Sequence, residues 1–185
     1  MKTRASSQSP ALFANPPNPE IERLVGLAPV FDAHARLLVL GSFPGAASLQ
    51  AAQYYAHPRN AFWPIMGALL GEADLAAQPY ADRLQALRRH RVALWDAVAA
   101  CEREGSLDTA IAAAEPSDLP HLVARLPGLR AIACNGALAH RQTLLALGDP
   151  GMPVLRLPST SPAHAGRSLA DKIAAWRAEL APYLA

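Results

Sequence analysis

The sequence predicts an α/β protein of three layers (α/β/α), in which helices cover both faces of a central four-stranded, mostly parallel sheet. Two observations predict this fold. Four short apolar runs favour strands that are buried in a sheet, and segments with helical spacing or helix-capping residues separate them. A length of 185 residues, of which 51% are apolar, suits one domain with a substantial core.

The strand candidates are short runs dominated by apolar residues. In chain order they are residues 37–40, 92–95, 131–134 and 154–157. The first, Leu-Leu-Val-Leu, is a continuous apolar run of the kind found in strands buried on both faces, and it ends at Gly41. The third is followed by Gly136, where we expect the turn into a helix.

Helices are expected between and after these strands. They run through residues 62–70, 80–90 and 119–126, from the turn at Gly136 through residue 147, and through residues 176–180. Asn60 is the expected cap of the first, and Ser117 or Asp118 lies near the start of the third. Ser168, with Asp171 three residues later, resembles a capping box for the last helix.

Composition excludes several classes of protein. Residues 1–20 are rich in Ser, Pro and Asn, so we expect a loose arm followed by a single domain over residues 21–185. No apolar run is long enough for a membrane helix and no signal peptide is visible, which favours a cytoplasmic protein. Coiled-coil heptads are absent, and we expect a monomer.

Metal centres and disulfides are not expected. Cys101 and Cys134 are too few for an iron–sulfur cluster and should be reduced, partly buried thiols. The six histidines lack metal-ligand spacing, so we predict no metal and no cofactor. The net charge of +2 does not by itself indicate a nucleic-acid binder, although fifteen arginines stand against two lysines, Lys2 and Lys172.

Ligands of such sheets bind beyond the carboxyl ends of the strands. The loops of interest therefore begin at Gly41, Asp96, Asn135 and Pro158. The first, Gly-Ser-Phe-Pro-Gly at residues 41–45, is neither a dinucleotide fingerprint nor a Walker loop.

An aromatic segment at residues 53–63 follows the first loop, with two tyrosines, a histidine, an arginine and an asparagine. It could form a pocket for a planar, hydrogen-bonding ring. Phe62 and Trp63 are better explained as core anchors. For Tyr55 and Asn60 the pattern alone leaves a pocket role and a structural role open.

The fourth loop, residues 157–165, is rich in hydroxyl groups and stiffened by two prolines. Its hydroxyls and backbone N–H groups could bind DNA phosphates. Taken alone, an ordinary Ser/Pro loop explains the pattern better.

Together, in this order, these segments resemble the motifs of the uracil-DNA glycosylase superfamily. Residues 41–45 stand where the family has a Gly-x-Asp/Asn-Pro turn, and residues 157–161 resemble its second motif. Phe43 occupies the position of the water-positioning Asp or Asn, and Gly45 that of an aromatic group which screens thymine. With Phe43 and Gly45 at these two positions, and with residues 54–63 after them, the sequence resembles the hypoxanthine-DNA (deoxyinosine) glycosylase branch.

The resemblance implies a metal-free enzyme that flips a deaminated base out of double-stranded DNA and hydrolyses its N-glycosidic bond. It implies that Asn60 is catalytic, holding water or bonding the departing base, and that Tyr55 stacks on the base. Asp96 would accept a hydrogen bond from hypoxanthine N1–H, or else cap a turn. The remaining base-site candidates are Gly41, Ser42 and Phe43.

The second motif would contact DNA. Ser159 and Ser161 would bind flanking phosphates, and Pro162, Ala163 or His164 would wedge into the duplex. Arg167 is a further phosphate candidate, although a solvated surface arginine is the simpler explanation.

The roles of His57 and Asp108 and the choice among rival functions stay open beside this assignment. His57 could protonate the leaving purine or pack its loop, and Asp108 is a spare carboxylate or a turn residue. Scarce lysine favours a monofunctional enzyme that leaves an abasic site. The rivals are a uracil or mismatch (T·G, U·G) glycosylase and a non-catalytic DNA-damage binding module.

Overall fold

The computed structural model describes residues 23–184. The predicted arm at residues 1–20 lies outside the described residues. The strands are β1 (Arg23–Val25), β2 (Leu37–Gly41), β3 (Val92–Asp96), β4 (Val98–Glu102), β5 (Ala112–Pro116), β6 (Ala131–Asn135) and β7 (Val154–Leu157). The α-helices are α1 (Ala46–Ala51), α2 (Phe62–Leu70), α3 (Tyr80–Arg89), α4 (Leu119–Ala124), α5 (Ala137–Leu147) and α6 (Leu169–Leu180). Short 3-10 helices lie at Leu75–Ala77, Asp108–Ala110 and Ala181–Tyr183.

The predicted central sheet is confirmed. Its strand order is β3-β2-β6-β7, and all neighbouring strands are parallel. Every residue of β2 and β6 is buried, as expected for inner strands covered on both faces. The register places Gly41 opposite Asp96 and Asn135 opposite Leu157, so the carboxyl ends of all four strands meet at one edge.

Successive side chains of β2 point to opposite faces of the sheet, so the core has two layers. Leu37 and Val39 pack with residues of α2, α3 and α6 on one face of the sheet. Leu38 and Leu40 pack with residues of α4 and α5 on the other face. The result is the three-layer arrangement expected from the sequence.

Two elements differ from the sequence-based expectation. β1, β4 and β5 form a separate antiparallel sheet that was not predicted, and the short helix α1 lies in the segment expected to be a loop. The reason is local composition: β5 reads Ala-Ala-Ala-Glu-Pro, which has little intrinsic strand preference. Pairing with β4 decides its conformation, and a small core of Phe43, Val98 and Cys101 supports this sheet.

The predicted helix caps at Asp118 and Ser168 are present. Asp118 accepts a hydrogen bond from His121 N, and Ser168 and Asp171 form a reciprocal capping box. Cys101 and Cys134 are free and buried. Between residues 23 and 184, none of the helices is long and apolar enough to cross a membrane.

Candidate active site

A cavity of about 210 Å³ opens at the carboxyl edge of the central sheet. The loops after β2, β3, β6 and β7 meet there, as the parallel topology requires. Thirteen of the residues singled out from the sequence line it: Gly41, Ser42, Phe43, Tyr55, His57, Asn60, Asp96, Asp108, Ser159, Ser161, Pro162, Ala163 and His164. Arg167 does not; it lines a neighbouring cavity.

Tyr55 forms one wall of the cavity. Its ring stacks on Phe62, with centroids 3.9 Å apart and planes at 21°, and its hydroxyl accepts a hydrogen bond from Asn135 Nδ2 at 3.1 Å. The backbone of Tyr55 has φ of 54°, a left-handed conformation that costs about 1–2 kcal/mol for a residue with a side chain. Burial raises the pKa of its phenol, which keeps the ring neutral. Its position is therefore fixed by contacts on the ring and on the hydroxyl.

Asn135 joins the two predicted motif regions, a role that sequence reasoning missed. Its Nδ2 donates to Thr160 Oγ1 at 2.8 Å as well as to Tyr55, and its Oδ1 accepts from Thr160 N at 2.9 Å. Both Asn135 and Thr160 are buried and line the cavity. The available signal was a polar residue at the end of an apolar strand.

Asp96 lies at the carboxyl end of β3 and is only 3% exposed. Its Oδ2 atom has no hydrogen-bond partner among residues 23–184. Burial raises its pKa to about 7; the nearby charge of Asp108 raises it further, while that of Arg103 opposes the shift. The carboxyl can therefore be protonated or ionised near neutral pH.

Gly41 makes room for this carboxyl. A Cβ atom placed on Gly41 would lie 2.2 Å from Asp96 Oδ1 and 3.0 Å from the Tyr55 hydroxyl. The first contact is shorter than real Cβ atoms make, and the second is tighter than most of their contacts, so the Asp96 carboxylate would have to move. Glycine at this position thus leaves room for the carboxyl of Asp96, its neighbour in the parallel register.

Asn60 faces the cavity immediately before α2. Its Oδ1 accepts a hydrogen bond from Phe62 N at 3.0 Å, although the residue preceding the helix is Ala61. Because a backbone N–H can only donate, the amide oxygen must face Phe62. The Nδ2 group has no acceptor among residues 23–184 and remains available as a donor.

His57 also lines the cavity, beside Asn60. Its Nδ1 accepts from Arg59 N at 3.1 Å, the local loop contact that sequence reasoning considered. This contact leaves Nε2 as the ring nitrogen that can carry a proton.

The connection between β4 and β5 forms the wall that the sequence did not predict. Asp108 Oδ1 accepts from Ser42 Oγ at 2.6 Å, and Ser106 Oγ accepts from Ala46 N at 2.9 Å. Asp108 begins a 3-10 helix and also lines the cavity, so the turn role and the site role coexist. The β4–β5 connection thus supplies a carboxylate to the cavity through Asp108. The first loop supplies no carboxylate, because Phe43 occupies the position where the family has Asp or Asn.

A buried arginine contacts the first loop, residues 41–45, on the side away from the cavity opening. Arg103 is 4% exposed, lies 4.9 Å from the centre of the Phe43 ring and donates to Pro44 O at 2.5 Å. The charged guanidinium group of Arg103 therefore lies directly behind the part of the first loop that lines the cavity.

The 159–164 loop forms the outer rim. Ser159 Oγ accepts from Ser161 N at 3.2 Å, and Ser161 Oγ accepts from Ala163 N at 3.3 Å, which folds the loop on itself. Pro162 is half-buried, and His164 is exposed at the rim. Among residues 23–184, no group of three or more His, Cys, Asp or Glu side chains could hold a metal ion.

Comparisons with known proteins give a consistent result. Residues 28–185 match the family model described as the Uracil DNA glycosylase superfamily. A curated protein named Hypoxanthine DNA glycosylase from Methanosarcina barkeri is 41% identical over 111 residues, 60% of this chain and 70% of that protein. One of the same name from Methanosarcina acetivorans is 37% identical over 139 residues, 75% of this chain and 87% of that protein.

A solved structure is also similar. It is the solution NMR structure of a candidate uracil DNA glycosylase from Methanosarcina acetivorans, with a TM-score of 0.74 and 34% identity. The match covers 85% of this chain and 98% of that one. The residues matched by the family model include all those that line the cavity.

Proposed function

This chain belongs to the uracil DNA glycosylase superfamily, which confirms the resemblance of its loop motifs, and we propose that it removes hypoxanthine from deoxyinosine in double-stranded DNA. It is a DNA N-glycosylase, and the two curated relatives are named for hypoxanthine. The observation that carries the recognition of a deaminated base over adenine is the buried Asp96 carboxyl with an unpaired oxygen at the cavity, and the relatives' names favour hypoxanthine over uracil.

Recognition of hypoxanthine follows from hydrogen-bond direction. An ionised carboxylate accepts but cannot donate, so Asp96 accepts from N1–H of hypoxanthine. Adenine has an unprotonated N1 at that position and would leave the buried carboxylate facing another acceptor. Such a mismatch can give strong rejection, because both groups stay unpaired after losing water.

The base reaches the cavity by leaving the duplex. Unstacking costs a few kcal/mol, and less at a weak mismatch. The Tyr55 ring, held by Phe62 and Asn135, recovers roughly 1–3 kcal/mol by stacking on the flipped base. Ser159 and Ser161 bind the flanking phosphates, and Pro162, Ala163 or His164 fills the gap in the duplex.

Bond cleavage leaves a cation-like sugar and an anionic base. The free Nδ2 group of Asn60 donates to the departing base, which stabilises the negative charge as it develops. An amide is too weak a base to activate water, so we assign the water to the Asp108 carboxylate on the cavity wall. Lys172, the one lysine among residues 23–184, lies outside this cavity, so the described part of the chain supplies no amine for a Schiff base, and we infer that the product is an abasic site.

Uracil is the second candidate base. Its N3–H is also a donor beside a carbonyl oxygen, so the Asp96 carboxylate could accept from it in the same way. The test is base release from duplexes that carry inosine, uracil, xanthine or a T·G mismatch. Release that is fastest from inosine supports the proposal, and fastest release from uracil or T·G favours the second candidate. Binding without release of any base would leave a damage-binding module.

Variants of Asn60 test its donor role with matched controls. Asn60→Ala removes both the donor and the acceptor for Phe62 N, while Asn60→Ser and Asn60→Asp keep an acceptor oxygen and lose the amide donor. We expect all three to slow single-turnover release from inosine by about 10²–10³-fold, the range for one lost transition-state donor. Near-normal release by Asn60→Ser would assign Asn60 to helix capping alone.

A further inference from the structure

The buried arginine that follows β4 is not explained by its contacts alone. Arg103 is 4% exposed, and its Nη2 donates to Pro44 O. Its Nε and Nη1 atoms are buried without a hydrogen-bond partner among residues 23–184, and its guanidinium forms no ion pair there. Unpaired buried donors and an uncompensated buried charge both cost free energy of folding. An arginine at this position therefore calls for a role other than stability.

The first loop brings this cation close to the acidic side chains of the base cavity. Asp96 lies against the start of the loop, since a Cβ atom on Gly41 would be 2.2 Å from its Oδ1. Asp108 accepts a hydrogen bond from the side chain of the second loop residue. Arg103 binds the backbone at Pro44, three positions after Gly41. Three residues of extended chain span at most about 11 Å, so the guanidinium acts on these carboxyls across a short stretch of backbone.

The charges around Asp96 work in opposite directions. Burial raises the pKa of its carboxyl to about 7, and the charge of Asp108 raises it further, whereas the charge of Arg103 opposes both effects. The other titratable groups that face Asp96 are phenols whose pKa is raised by burial, so they stay neutral, and one imidazole that lines the same cavity: Tyr54, Tyr55, Tyr80 and His57. A guanidinium stays charged at any working pH, so Arg103 is the permanent cation of this group.

We propose that Arg103 is a positioning residue for base recognition: its buried guanidinium, fixed on the first loop, keeps the Asp96 side chain in the carboxylate form that accepts from N1–H of the flipped base. This role rests on the proposed function, because it takes Asp96 to bind the base. It accounts for a buried arginine whose remaining donors are unpaired, since what the residue supplies is charge.

Entry of the base should make this cation more important. The flipped base displaces water from the cavity, and loss of water favours the protonated form of a buried acid. A protonated carboxyl carries a donor of its own, which weakens the preference for N1–H over the bare N1 of adenine. The fixed positive charge of Arg103 opposes that protonation.

The pH profile of base release tests this role, because a purely structural arginine would not move it. Single-turnover release from inosine duplexes is measured between about pH 5.5 and 9 for wild type and Arg103→Gln, which removes the charge and keeps an amide donor. At about 10 Å and an effective dielectric constant of about 20, one charge moves a titration by roughly one pH unit. We expect the acidic limb of Arg103→Gln to lie about one unit higher, which is about tenfold slower release on that limb.

Three further variants serve as controls. Arg103→Lys keeps the charge and should keep the position of the limb. Arg125→Gln should leave both limb and rate unchanged, because Arg125 is exposed and makes its ring contact, 4.7 Å from the centre of Phe31, away from the cavity. In an Asp96→Asn background, Arg103→Gln should no longer move the limb. A wild-type limb for Arg103→Gln would overturn the proposal, as would a shift that persists without the Asp96 carboxyl.

NMR of the aspartate carboxyls separates the charge effect from catalysis. In protein labelled with ¹³C at these carbons, the signal of Asp96 is identified by its loss in Asp96→Asn, and its titration is followed without DNA. We expect Arg103→Gln to move that titration upward by about one unit, and an unmoved titration would refute the role. If Arg103→Gln does not fold, judged by circular dichroism, Arg103→Met is used for both measurements. A moved titration without base release from any duplex would retain the coupling of Arg103 to Asp96 and reject the proposed activity.

Discussion

Replacing Asp96 with asparagine should change two measurable properties, the pH dependence of the free energy of unfolding and the selectivity for the excised base. In the folded protein, burial raises the pKa of Asp96 from its ordinary value of 3.8 to about 7. Each pKa unit corresponds to about 1.36 kcal/mol, so a difference of about three units corresponds to roughly 4 kcal/mol. The folded state therefore favours the protonated carboxyl by up to that amount.

The sign follows from proton binding in the two states. Below pH 3.8 the carboxyl is protonated in both the folded and the unfolded chain. Between pH 3.8 and about 7 only the folded chain keeps the proton, so stability falls as pH rises, and it levels off above pH 7. Asparagine has no charge to bury. Asp96→Asn should thus match the wild-type free energy of unfolding near pH 4 and exceed it by up to roughly 4 kcal/mol near pH 8.5.

Urea denaturation of both proteins at pH 4, 6 and 8.5 measures this difference. Asp149→Asn is the control, because it neutralises an exposed carboxylate in a loop and retains the Oδ1 atom that accepts from Gly151 N. A difference between Asp96→Asn and wild type that stays constant across pH would refute the reasoning. So would a variant that is less stable than wild type at pH 8.5.

The same variant bears on base choice. An amide carries both a donor and an acceptor, so it can pair with N1 and the amino group of adenine. We expect Asp96→Asn to release hypoxanthine more slowly and to discriminate less against adenine, measured with matched inosine and adenosine duplexes. Unchanged selectivity would remove Asp96 from base recognition.

Two further substitutions test the walls of the base cavity. Gly41→Ala places a methyl group 2.2 Å from Asp96 Oδ1, so we expect base release to fall sharply and the unfolding midpoint to drop; normal release would show that the carboxyl moves freely. Asp108→Asn should slow single-turnover release from inosine by about 10² or more, as for a lost general base. Glu104→Gln, in the same connection and exposed, should have no effect, and an equal loss in both would point to net charge instead.

The parallel sheet could be predicted because its strands are buried on both faces and therefore carry short, dominantly apolar runs. The same logic located the cavity, since the carboxyl ends of parallel strands share one edge. Asp96 was singled out from its position at a strand end, and Tyr55 and Asn60 from the aromatic segment and its family resemblance. The structure brings all three to one cavity.

The remaining features depend on contacts between distant parts of the chain. The antiparallel sheet is alanine-rich and lacks a strong local preference, so only pairing of β4 with β5 reveals it. The Asn135 bonds to Tyr55 and Thr160 span 80 and 25 residues, which no local pattern encodes.

The cavity wall between β4 and β5 is carried by its own small core rather than by the main layers. Phe43, Val98 and Cys101 pack there separately from the residues that stabilise the parallel sheet. Insertions at the exposed residues 104 and 105, which keep Arg103 and Asp108 in the chain, can therefore reshape one side of the base cavity at little cost to the rest of the protein. That independence offers evolution, or a designer of repair enzymes, a place to alter the accepted lesion while the scaffold stays intact.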